Sequence, residues 1–176
     1  MSPKEDAAER KQQILAAAAA LFAESGYYKT TTAHVAKAVG VTQPYIFHFF
    51  RTKEELYLAV LKQAAERILH AFTIADAPPE QLPEAMGRAF GELLGDYRSE
   101  ILLVMTSFTI PEPAIREYTR TEFELVFDRV KERFEKAGLP NAGMMASTFI
   151  GQGLALTMSE LLQSPKLFDW KKPHEH

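Results

Sequence analysis

Apolar residues in this chain recur three and four positions apart from Ile14 onward, and no stretch shows sustained alternation at period two. A helix puts residues i, i+4 and i+7 on one face, whereas a half-buried strand needs every second residue. The pattern therefore predicts an all-α fold without a sheet. Ile14, Leu15, Ala18, Leu21 and Phe22 form the first stripe, carried by the strong helix formers Ala16 to Ala20. Gly26 is placed to stop that helix. Two short helices should follow. One is capped by Thr31, carries Val35, Ala36 and Val39, and ends at Gly40. The other is capped by Thr42 and spans Gln43 to Phe50, with Pro44 tolerated in its first turn.

A longer fourth helix is expected from Lys53 to about Ala75. Three prolines between Pro78 and Pro83 then force a loop. Four more helices are expected near 83–97, 99–110, 114–137 and 141–163, with breaks at Pro111, Pro113, Gly138, Pro140 and Pro165. This gives a smaller helical unit over residues 1–52 and a larger one over 53–176, with the fourth helix as connector.

The net charge of −3 hides a segregation. Residues 27–53 hold Lys29, Lys37, Arg51 and Lys53 and no acid, whereas residues 63–176 hold 12 basic and 17 acidic side chains. A polyanion could face the first segment and would be repelled by the second. The chain contains no cysteine, which excludes disulfides, thiolate metal sites and a thiol nucleophile.

Two uncharged runs test for a leader or a membrane span. Ile14 to Ala23 follows Glu5, Asp6 and Glu9, so it lacks a positive leader region. Leu139 to Ser159 is 21 residues long, but its proline, three glycines, asparagine and glutamine fit a buried bundle helix. The expectation is a soluble, cytoplasmic chain with no membrane partner.

Residues 30–53, TTTAHVAKAVGVTQPYIFHFFRTK, combine a short helix, a tight turn at Gly40-Val41 and a second short helix. That is a helix-turn-helix. Thr42, Gln43, Tyr45 and His48 are left on the outer surface of the second helix, the position from which a recognition helix meets base edges. Gln43 can read adenine in two-point fashion. Lys29, Thr31, Tyr45 and Lys53 can hold phosphates, which positions a protein without reading sequence. His48 serves either as a contact or as an ordinary solvated histidine.

Leu21-Phe22, Gly26-Tyr27, Thr30-Thr31, Val35-Ala36, Gly40-Val41-Thr42, Phe47-His48-Phe49-Phe50 and Lys53-Glu54-Glu55-Leu56 resemble the DNA-binding signature of the TetR family of bacterial regulators. The likeness covers roughly residues 10–62. It implies a homodimer, a palindromic double-stranded DNA operator, and a C-terminal helical domain that binds a small-molecule effector and dimerises. It also implies DNA contacts from Thr31, Thr42, Tyr45, Phe47 and Lys53. Three positions depart from the family pattern: Pro44 replaces a frequent glycine and offers no N–H to a phosphate, Phe47 replaces a frequent tyrosine, and Phe49 replaces a frequent histidine, with His48 displaced by one.

In the larger unit, Phe123, Phe127, Val130 and Phe134 form a stripe that suits a core or a dimer face. Tyr97, Met105, Phe108, Phe123, Phe127, Met145, Phe149 and Gln152 are the candidate pocket residues: methionine and phenylalanine fill irregular apolar space, and Tyr97 and Gln152 are the polar groups among them. The last two helices are the expected dimer interface, where Gly143, Ala146, Gly151, Gly153 and Ala155 permit close approach. His174 and His176 form an H-x-H pair in a terminal tail. His34 and His70 read as ordinary helix histidines. No phosphate-loop, HExxH or GxSxG pattern occurs, so neither an enzyme nor a cofactor is expected. The competing reading is an architectural helix-turn-helix DNA binder without a ligand.

Overall fold

The computed structural model describes the backbone of residues 3–168 and the side chains of residues 5–168. The pair His174 and His176 lies outside the described residues. Among the described residues there is no strand, in agreement with the all-α expectation. The order is α1 (Pro3–Lys29), α2 (Thr32–Ala38), α3 (Gln43–Phe49), α4 (Lys53–Ile74), α5 (Leu82–Asp96), α6 (Arg98–Thr106), α7 (Pro113–Lys136) and α8 (Ala142–Leu161). Short 3₁₀ turns cover Pro79–Gln81, Ser107–Thr109 and Pro165–Leu167.

Gly26 interrupts α1 as the sequence suggests, with φ 78° and ψ 166°, and one more turn follows to Lys29. Thr30 is buried below that turn and donates its hydroxyl to the Leu21 carbonyl at 3.0 Å. The larger departure is in α6, which ends at Thr106 rather than near residue 110. Its next residues tighten into a 3₁₀ turn, which changes the direction in which residue 108 points.

The buried side chains form two clusters. The first packs Ile14, Ala18 and Phe22 of α1, Val35 of α2 and Ile46 of α3 against Leu56, Val60 and Leu61 of α4, and it also takes in Leu103 of α6 and Ile115 of α7. The second packs Ala64, Ile68 and Phe72 of α4 with Met86 and Phe90 of α5, Ile101 and Met105 of α6, Val130 and Phe134 of α7, and Ala146 and Phe149 of α8. One rod, α4, therefore contributes its first half to one core and its second half to the other.

Candidate nucleic-acid interface and regulatory cavity

The helix-turn-helix is set by caps and a turn. Thr31 lies in extended backbone, and its hydroxyl oxygen accepts the His34 N–H at 3.2 Å, which starts α2. α2 ends in a Schellman arrangement: Val41 N–H bonds the Ala36 carbonyl at 2.9 Å and Gly40 N–H bonds the Lys37 carbonyl at 3.3 Å. Gly40 has φ 69°, a conformation that side chains rarely adopt. The turn brings α3 across α2 with Val35 and Ile46 fully buried between them. Thr42 occupies the N-cap position of α3, but its hydroxyl makes no capping bond.

Lys29, Thr31, Thr42, Gln43, Pro44, Tyr45, Phe47 and His48 are all exposed. Tyr45 and His48 lean on Phe49, with ring centroids 5.4 and 5.5 Å apart. Besides Thr31, two expected contacts carry intramolecular bonds. Gln43 Nε2 donates to Thr32 Oγ1 at 2.8 Å, so the amide is tethered to α2 and presents its Oε1 and second N–H. Thr32 is itself buried. Lys53 is half-buried, donates to the Tyr27 carbonyl at 2.9 Å and lies 4.2 Å from the Tyr27 ring centroid. An ammonium has three N–H groups, so others remain for a phosphate.

Several contacts here were not singled out in the sequence. Thr52 caps α4 by accepting Glu55 N–H at 3.0 Å, while the Glu55 carboxylate accepts Arg51 N–H at 2.8 Å. The T-x-x-E spacing was a readable signal for this cap. Tyr28 hydroxyl donates to Glu112 at 2.8 Å, which fastens the end of α1 to the segment before α7. That bond holds the phenol proton and raises the Tyr28 pKa. Arg67 of α4 donates to the largely buried Glu100 of α6 at 3.1 Å. No local pattern announces these long-range pairs.

A cavity of about 360 Å³ opens among α4 to α8. Its walls are mainly apolar: Ile68, Phe72, Phe90, Val104, Met105, Phe123, Val126, Phe149 and Leu156, with Gly87, Gly91 and Gly153 leaving room. Arg88, Glu122 and Gln152 are the polar side chains among its lining, and Arg88 is already paired with Glu84 at 2.9 Å. This size and polarity suit a small, largely apolar molecule with one hydrogen-bonding end.

Of the expected pocket residues, Met105, Phe123, Phe149 and Gln152 line this cavity. The other four do not. Tyr97 caps the end of α5 and lies under the Arg67 guanidinium, 3.9 Å from its ring centroid. Phe108 is turned into solvent by the 3₁₀ turn after α6. Phe127 and Met145 pack against the second core outside the cavity lining. Two of the small residues expected at a dimer interface also face inward: Ala146 is fully buried and Gly153 borders the cavity.

The family model described as bacterial regulatory proteins of the tetR family matches residues 14–60, from the buried face of α1 through the first core half of α4. Over residues 14–60 the chain belongs to the TetR family. An HTH-type transcriptional repressor of Mycobacterium tuberculosis, Rv1474c, is 41% identical over 61 residues, covering 35% of this chain and 33% of that protein. The transcriptional activator FasR of Mycolicibacterium smegmatis is 26% identical over 125 residues, covering 69% of this chain and 57% of that protein. The matches thus span a third to somewhat over half of those relatives' lengths. In structure, AibR in complex with isovaleryl coenzyme A and operator DNA superposes with a TM-score of 0.68, covering 95% of this chain and 90% of AibR at 22% identity. That likeness concerns the fold alone. Among the described residues no helix is long and apolar enough to cross a membrane.

Proposed function

We propose that this protein is a cytoplasmic, ligand-responsive transcriptional regulator, a repressor released from a palindromic operator when a small, largely apolar molecule fills the α4–α8 cavity. The observation that carries this reading is the division of α4 between the two cores. The rod that borders the cavity through Ala65, Ile68 and Phe72 also packs the helix-turn-helix through Leu56, Val60 and Leu61. A ligand that prefers one tilt of α4 must change DNA affinity, and DNA must change ligand affinity by the same factor.

A two-fold dimer completes the reading. Met144, Thr148, Gly151, Ala155 and Met158 of α8 and its C-cap Leu162 fall at heptad-like spacing, and Met144, Met158 and Leu162 are 68%, 56% and 62% exposed. α8 carries no charge before Glu160. On α7, by contrast, the outward face is laced with ion pairs such as Arg120 with Glu117 and Glu124, so α8 supplies the greater part of the interface. Isologous packing of this stripe would space two α3 helices for half-sites one helical turn, or a multiple of it, apart.

Selection of bound sequences from a random DNA library at fixed salt tests the proposal, and a palindrome is the expected product. Binding without a motif that vanishes as salt rises would favour the architectural alternative. The AibR complex, which holds isovaleryl coenzyme A and operator DNA, supports a regulator of the proposed kind.

The Gln43–Thr32 bond gives a sharper test. Gln43→Ala is expected to relax preference at one base pair per half-site by about 1–3 kcal/mol. Thr32→Val, which removes only the tether, should relax the same base pair in part and leave the others intact. A randomised half-site titration reads both variants. An equal loss at every base pair would mean that Gln43 serves only to hold α3 against α2.

A further inference from the structure

We propose a second small-molecule site in the seam between α1 and α6, built for an amphipathic organic anion with a single charged group. A cavity of about 420 Å³ lies there and shares no lining residue with the one among α4 to α8. Tyr57 of α4 lines it, is 1% exposed, and makes no hydrogen bond with any described residue. The ring is buried but its hydroxyl oxygen keeps access to the open space of the seam, where a polar atom of an occupant can bond it. Its ring cannot easily turn away, because Phe22 and Tyr27 clamp it edge-on at 4.9 and 5.1 Å. Burial also raises its pKa, so the group stays a neutral phenol able to donate or accept.

The other side of the seam offers donors. Arg98 and Ser99 line the cavity in the first turn of α6, whose N-terminus has no side-chain cap. Arg98 is half exposed and only loosely engaged, giving one N–H to the Glu160 carbonyl at 3.3 Å and lying 3.7 Å from the Glu160 carboxylate. An anionic head at Arg98 gains charge-assisted hydrogen bonds together with the favourable end of the helix dipole. Leu102 and Leu103 provide the apolar wall for the body of the molecule, and a polar atom on that body satisfies Tyr57. Glu24 also borders the cavity and disfavours heads of higher charge such as phosphates. An occupant touches α1 of the DNA-reading part and α6 of the larger bundle at once, so it fixes the distance between them.

The probe is 8-anilinonaphthalene-1-sulfonate, an aromatic monoanion whose linking N–H can bond Tyr57. Fluorescence titration of the full chain is expected to resolve a binding class that Arg98→Met weakens roughly tenfold or more, the scale of a lost charged hydrogen bond. Tyr57→Phe should weaken the same class several-fold. That variant deletes only an unpartnered hydroxyl, so its thermal unfolding should be no lower than wild type, which separates lost binding from lost fold. Filling the other cavity with Gly153→Leu should leave this class in place. The proposal is overturned if neither Arg98→Met nor Tyr57→Phe changes any class, or if Gly153→Leu abolishes all probe binding.

Discussion

Gly151→Arg is expected to turn the protein into a monomer and to weaken operator binding about 10²- to 10⁴-fold, the gain that linking two half-site readers ordinarily brings. The position makes the result interpretable. Gly151 is exposed at the middle of the α8 stripe, and a Cβ added there meets nothing within 4 Å. Replacing a mid-helix glycine also favours the helix by roughly 0.8–1.0 kcal/mol. The isolated chain should therefore melt no lower than before. Across a two-fold axis, however, the change sets two guanidinium groups against each other in an apolar contact, without partners. Sedimentation equilibrium at micromolar concentration reads the association state, and operator titration reads the affinity. A variant that remains dimeric would move the interface off this stripe.

Gly153→Leu is expected to leave operator affinity near wild type and to abolish the response to the effector. Its Cβ would lie 3.8 Å from Met105 Cε and Phe90 Cε1, which is ordinary van der Waals contact, and the rest of the side chain would occupy the cavity. A ligand at a hundredfold excess over its Kd stabilises the folded wild type by about 2.7 kcal/mol, and the variant should gain none of this. Thermal shift against a set of apolar compounds, followed by operator release with the hits, measures both consequences. A variant that still releases DNA to the same compounds would place the effector elsewhere.

The legible and illegible parts of the chain divide along a physical line. Helix existence and most boundaries were readable because glycine, proline and capping threonines act locally: Gly26, Gly40 and Thr31 each do in the structure what their chemistry requires. The helix-turn-helix was readable for the same reason, since a short helix, a positive-φ glycine and a second short helix occupy consecutive residues. The cavity was only partly readable. Met105 and Phe149 lie on helices whose period persists, so their inward direction follows from the pattern. Phe108 does not, because it sits inside the 3₁₀ turn Ser107–Thr109 that follows α6, where the assumed period fails. Tyr97 stands outside the cavity lining for another reason. Its fate depends on Arg67, thirty residues away, and a cation over a ring leaves no trace in local spacing. The tether of Gln43 to Thr32 was hidden in the same way, because it spans the turn between two helices.

The presence of Leu103 and Ile115 in the first core has a consequence for how such chains can be rearranged. The DNA-reading part borrows apolar surface from α6 and α7, so it is not a self-sufficient module that could be cut out at the start of α4. A chimera that keeps residues 1–52 and takes its remaining helices from another regulator inherits a reader with part of its floor missing, unless the donor supplies side chains of matching shape at those two places. The boundary of inheritance in this molecule is therefore a pattern of contacts rather than a point along the chain. New ligand specificities are open to it through the walls of the cavity more readily than through exchange of whole domains.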